Sequence, residues 1–272
     1  MQKVVQPRRY LLLGILFFFL PFFIPLPLPR QTVIETDPLF TEDLGEIARN
    51  STRSFVKNNP NRVAGTEEAK NAAFWLSAAL KGVGLEPQTQ TFEFEWDGVK
   101  TGQNVYAIDT GSNMKEEYFL FMAHYDVVPD TIEGANDNGA AVAMVLTFAT
   151  YFQTYAHNRS IIYAFVDAEE VGLIGSQIFA EKIAKDLNIV AGINFEMVGY
   201  KDYSSIYVDS LGFQQGQVDA AFVDLIMQSG LSLRVDVETG TTENWFVDSF
   251  SMVIQKAAAF TFSDHGDRKS VV

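Results

Sequence analysis

Four short segments concentrate the side chains that could do chemistry. The first is Ala123-His124-Tyr125-Asp126, an apolar run that ends in His-x-Asp. In an extended chain alternate residues share a face, which puts His124 and Asp126 together. A carboxylate on one imidazole nitrogen fixes the tautomer and leaves the other nitrogen for a metal. Alone, a single histidine is more often structural. The second segment is Gly134-Ala135-Asn136-Asp137-Asn138-Gly139-Ala140. Asp137 there either caps the helix that follows or, on a tight glycine-flanked backbone, turns its carboxylate into a site. The third places Glu169 and Glu170 behind the apolar run Ile161–Val166. Neighbouring carboxylates at the end of a buried strand repel each other and lose hydration. Either they open a surface helix, or a cation offsets the cost. In the second case one Glu binds the cation while the other moves protons. The fourth segment repeats the pattern, with Glu196 following the apolar stretch Ile189–Ile193.

One imidazole and several carboxylates make a donor set of hard oxygens with one nitrogen, which suits zinc or manganese-like cations. Other chemistries find less material. The chain has no cysteine, so neither thiolate catalysis nor disulfides are available. There is no phosphate-binding glycine loop and no G-x-S-x-G elbow. Ser51 and Ser176 lack a plausible histidine partner among His124, His157 and His265. Four of the 20 basic residues and none of the 34 acidic ones lie in residues 1–30, so the remainder carries a net charge of −18. A body that acidic repels a phosphate backbone, which excludes nucleic acid as a partner.

The elements that must position these residues are legible as changes of period. Apolar spacing predicts helices at 41–58 and from Thr66 to about Leu80, the second capped by Thr66. Thr89 to Trp96 alternates polar and apolar as a half-exposed strand does, and 103–109 and 118–123 read as further strands. Helix 139–153, strand 161–166, helix 174–184, strand 189–195, helix 217–229 and strand 256–262 then alternate. The expected fold is α/β, a three-layer sandwich with a mixed, largely parallel central sheet. Each of the four segments falls behind a predicted strand, where open α/β sheets place their ligands. One domain spanning 38–272 accounts for all of it, joined by a linker at 31–37 to what precedes.

Residues 1–30 differ. Lys3, Arg8 and Arg9 precede the uncharged run Tyr10–Leu28. At 1.5 Å per residue such a helix just spans a hydrocarbon core of about 30 Å. The basic start keeps that end inside and sends the domain outside. Pro21, Pro25 and Pro27 weaken the second half, so a cleaved signal peptide is the alternative to an uncleaved anchor helix.

With these residues in view, HYD, GANDNGAAVA, DAEEVGLIGS and INFEMVG resemble the M28 family of zinc peptidases, which includes bacterial aminopeptidases and glutaminyl cyclases. The resemblance runs from about residue 62 to 265. It implies two zinc ions bridged by Asp137, with His124, Glu170 and Glu196 as further ligands. Asp126 orients His124, and Glu169 is the general base and then the proton donor. The peptide between Asp137 and Asn138 is cis. The implied activity is hydrolysis of peptide bonds by a two-zinc-bound hydroxide, removing N-terminal residues. Glu196, where the family often has Asp, is similar to its membrane-associated branch. A single-zinc glutaminyl cyclase and a catalytically incomplete binding ectodomain are the alternatives. One element of the family pattern, an H-T-x-x-D-T segment that carries the last metal histidine, is missing. His265 is one candidate for that ligand. The other expectation is that the chain stops before it, with the ligand beyond Val272.

Overall fold

The computed structural model describes residues 42–199 and the backbone of three further strands at 205–210, 236–240 and 259–263. The expected anchor at 10–28, helix 217–229 and His265 lie outside the described residues. Among the described residues no helix is long and apolar enough to cross a membrane.

Two helices open the domain, α1 (Glu42–Asn58) and α2 (Glu67–Gly82). Thr66 caps α2 as expected, its hydroxyl oxygen accepting the Ala69 amide at 3.2 Å. The stripe Ala69, Ala72, Ala73, Leu76 and Leu80 is buried. Strands β1 (Gln88–Glu95) and β2 (Val99–Asp109) form a hairpin. Its turn uses positive φ at Asp97 and Gly98, a pairing that Asp-Gly tolerates well. Strand β3 (Met114–His124) leads through Ala135–Gly139 into α3 (Ala140–Phe152). Then come β4 (Arg159–Val166), α4 (Ile174–Lys182), β5 (Asn188–Glu196), β6 (Ser205–Ser210), β7 (Asp236–Gly240) and β8 (Ala259–Ser263).

The eight strands form one mixed sheet in the order β1-β2-β4-β3-β5-β8-β6-β7. Its centre, β4-β3-β5-β8, is parallel. Strand β4 is buried along Ser160–Val166, the burial of a strand covered on both faces. On one face α1, α2 and α3 pack over Phe121, Tyr163 and Phe195. On the other, α4 packs over Leu120, Met122 and Ile162. The result is the three-layer α/β sandwich expected. Parallel β3, β4 and β5 end together, and that puts His124, Val166 and Glu196 at one edge of the sheet.

Strands β6 and β7 were not expected. Strand β7, Asp-Val-Glu-Thr-Gly, carries one large apolar residue and lies at the end of the sheet. A five-residue segment with one large apolar residue offers no alternation from which a period could be read.

Candidate metal centre

At the carboxyl edge the chain makes three unusual backbone moves. The Asp137–Asn138 peptide is cis, as the resemblance implied. Asp137 and Asn138 have non-helical φ/ψ, and the helical cap at Gly139 receives no side-chain bond, so Asp137 is not an N-cap. Ala168 and Met197 adopt positive φ, 57° and 51°. Each adjoins a site carboxylate, Glu169 and Glu196, and each such residue costs about 1–3 kcal/mol that the surroundings must offset.

These moves bring the expected side chains together. His124 is fully buried, and its Nε2 lies 3.2 Å from Asp137 Oδ1 and 3.2 Å from Glu196 Oε1. Its Nδ1 faces Asp126 Oδ1 at 3.4 Å, the pairing expected of an extended chain, although β3 itself ends at His124. Asp126, also fully buried, does more than orient the ring. Its two oxygens accept the Glu169 and Glu170 amides, each at 3.1 Å. Glu169 is 2% exposed, and the next helix starts only at Ile174, so the pair does not open a surface helix.

Ligand-type atoms of His124, Asp137 and Glu196 lie within 4.8 Å of one another, and so do those of His124, Glu169 and Glu170. Glu196 Oε2 is buried and meets no hydrogen-bond donor among the described residues. A buried carboxylate oxygen in a crowd of acids is costly unless a cation stands there. One imidazole nitrogen with carboxylate oxygens suits zinc, so the residues present fit that metal.

Burial pulls the His124 imidazole down, but the charges of Glu196 and Glu169 and the adjoining carboxylates of Asp126 and Asp137 more than reverse this. Its pKa is held well above the ordinary histidine value. In the metal-free protein the surrounding carboxylates therefore favour the protonated ring, and a metal must displace that proton. Zinc uptake should release protons, and apparent affinity should climb as pH rises toward the raised pKa. Titration calorimetry in two buffers of different ionisation enthalpy checks this. Equal heats in both would contradict it.

Several residues that the sequence reading passed over support the site. Asn138 is fully buried and joins the Asp137 segment to the Glu196 segment. It donates to the Phe195 carbonyl at 3.0 Å and accepts the Met197 amide at 3.0 Å. Asn136 accepts the Gly199 amide at 2.8 Å. Asp167 accepts the Gln103 and Ala168 amides. Burial and the charge of Asp126 raise it to about 7 against those amide bonds. Arg62 is fully buried beneath the site, and burial lowers its pKa to about 10 although Asp126 and Asp137 favour its charge. The Asn-rich loop was the available signal for Asn136 and Asn138; nothing local marks Arg62.

The sequence profile of peptidase family M28 matches residues 104–263, more than half of the chain. The chain belongs to peptidase family M28. Among relatives of this M28 domain, aminopeptidase YwaD of Bacillus subtilis is 32% identical over 124 residues, covering 44% of this chain and 27% of that protein. The vacuolar membrane protease of Saccharomyces cerevisiae is 36% identical over 129 residues, 46% of this chain and 13% of that protein. The M28 chain thus spans only a minor part of either relative. In fold it is similar to an aminopeptidase from Aneurinibacillus sp. strain AM-1, with a TM-score of 0.71 at 15% identity over 82% of this chain and 86% of that one. It is also similar to Porphyromonas gingivalis glutaminyl cyclase, with a TM-score of 0.68 at 23% identity over 82% and 84%.

Proposed function

We propose that this M28 domain is a zinc-dependent exopeptidase that removes N-terminal residues from peptides. The observation that carries the reading is the convergence of His124, Asp137 and Glu196 from three separate segments, with buried Glu169 beside them. His124, Asp137, Glu170 and Glu196 would hold the zinc, with Asp137 shared where two ions bind. Bound there, zinc supplies a Lewis acid for the substrate carbonyl and lowers the pKa of water toward about 7.

The chain's own residues do the rest. Asp126 fixes the His124 ring and, through the Glu169 and Glu170 amides, the height of both glutamates. Asn138 holds the Asp137 and Glu196 segments in register. Glu169 takes a proton from the attacking water and returns it to the leaving amine. Its carboxylate is shielded from bulk solvent by burial, which limits proton exchange with the surrounding water during that transfer.

The test is hydrolysis of a peptide with a free N-terminus beside its N-acetylated twin. Zinc-loaded protein should shorten the free peptide from its N-terminus, spare the blocked one, and lose activity on chelation. Equal cleavage of both peptides would remove the aminopeptidase reading. A peptide beginning with Gln that loses ammonia instead of its first residue would favour cyclase chemistry.

The same reading places the domain outside the cytoplasm, held to a membrane by residues 10–28. The basic start and the uncharged Tyr10–Leu28 run support it, as does the similarity to the yeast vacuolar membrane protease. The full-length protein should stay with membranes through a high-salt wash, and deletion of residues 1–30 should release it. Full-length protein recovered in the soluble cytosol would contradict this.

A further inference from the structure

We infer that Arg62 is a further positioning residue of the centre, a buried fork that ties the His124–Asp126 segment to the segment carrying Asp137. The inference rests on the metal-centre reading above. Arg62 is fully buried, and every hydrogen bond described for its side chain goes to a backbone carbonyl. Its Nε donates to the Tyr125 carbonyl, which lies between His124 and Asp126. Its Nη1 donates to Glu133 at 2.6 Å and to Asn59 at 3.2 Å. Its Nη2 donates to Gly134 at 2.8 Å, three residues before Asp137. The guanidinium carbon sits 4.8 Å from the centre of the Phe55 ring. The backbone joins in, since the Arg62 carbonyl accepts the Val127 amide at 3.3 Å.

This arrangement needs a guanidinium. A planar fork with five donors can serve four carbonyls at fixed angles, whereas an ammonium has three donors and no plane. Packing closes the joint. Gly134 has φ of 52°, and a Cβ there would collide with the Val127 side chain, the Asp137 carbonyl and Arg62 Nη2. The loop therefore lies directly on the guanidinium, and the guanidinium sets where Asp137 begins. The position also places a fixed positive charge behind a group of carboxylates, where low dielectric strengthens its attraction.

The test uses the full-length chain with Arg62→Met and Arg62→Lys. Leu80→Ala, in the buried stripe of α2, is the control for general destabilisation. Two quantities are read: zinc affinity by chelator competition, and amide exchange of the metal-free protein at Gly139, whose N–H bonds to the Gly134 carbonyl. Arg62→Met should weaken zinc binding by about 10- to 100-fold, the range for groups that orient metal ligands. Its Gly139 exchange should accelerate on the order of tenfold, by the loss of the local bonds that protect the loop. Arg62→Lys should lie between it and the parent. Leu80→Ala should change neither quantity at Gly139 or at the metal. If Arg62→Met does not fold, Arg62→Lys alone decides. Arg62 variants with parental zinc affinity and parental Gly139 exchange overturn the inference. If the parent itself binds no zinc, the metal reading fails. The exchange arm then still decides whether Arg62 fixes the loop: faster Gly139 exchange upholds that, and unchanged exchange overturns it.

Discussion

Glu169→Gln should bind zinc as tightly as the parent and lose about 100- to 10,000-fold in turnover, the usual worth of a general acid–base. The substitution keeps the volume of a side chain that is 2% exposed, and it leaves the amide that Asp126 holds untouched. It removes only the group that carries the proton. Because substrate binding does not use that proton, KM should change little, and the loss should fall on kcat. Neutralising Glu169 takes away some attraction for the cation but also lets His124 release its proton more readily, so the two charge effects on zinc affinity oppose each other. Steady-state kinetics with a measured zinc content separates the two effects. Parental kcat in a zinc-loaded Glu169→Gln protein would show that the role is wrongly assigned.

Asp137→Ala should abolish turnover and remove zinc more severely than the roughly 10- to 100-fold loss expected for a residue that only orients a ligand. The carboxylate lies 3.2 Å from His124 Nε2, and in the proposed centre it serves both metals. The fold should survive. The loop is held by backbone and amide bonds that do not involve this carboxylate: Gly139 to Gly134, and Asn138 to Phe195 and Met197. The melting temperature of the metal-free protein should therefore stay near the parent's, while the stabilisation that added zinc gives the parent should be lost. A variant that retains parental zinc content and activity would take Asp137 out of the centre.

The parts of this molecule that were legible in its sequence are those with a local cause. Thr66 before Glu67-Glu68 announces the start of a helix, and the alternation in Thr89–Trp96 announces a strand. Alternation in an extended chain predicts that His124 and Asp126 meet, and the structure brings them together even though β3 ends at His124. Asp137 was only half legible. Its place before an apolar helix fits a cap as well as a ligand, and the backbone of residues 137–138, which departs from the helix, decides against the cap. Arg62 was not legible at all. In Asn-Pro-Asn-Arg-Val-Ala-Gly it reads as a solvated loop residue, yet it is buried because Tyr125, Glu133 and Gly134 return to it from more than 60 positions away. Burial created by chain crossing leaves no period in the sequence. Strand β7 escaped for the opposite reason, since an edge with little apolar surface needs no pattern.

The central claim is that His124, Asp137 and Glu196 surround a zinc ion. Anomalous X-ray scattering from zinc-loaded crystals, recorded on either side of the zinc absorption edge, tests it most directly. The account predicts a strong zinc peak in direct contact with His124 Nε2 and with carboxylate oxygens of Asp137 and Glu196. Zinc-saturated crystals with no peak there, or with zinc bound only elsewhere on the protein, would contradict it.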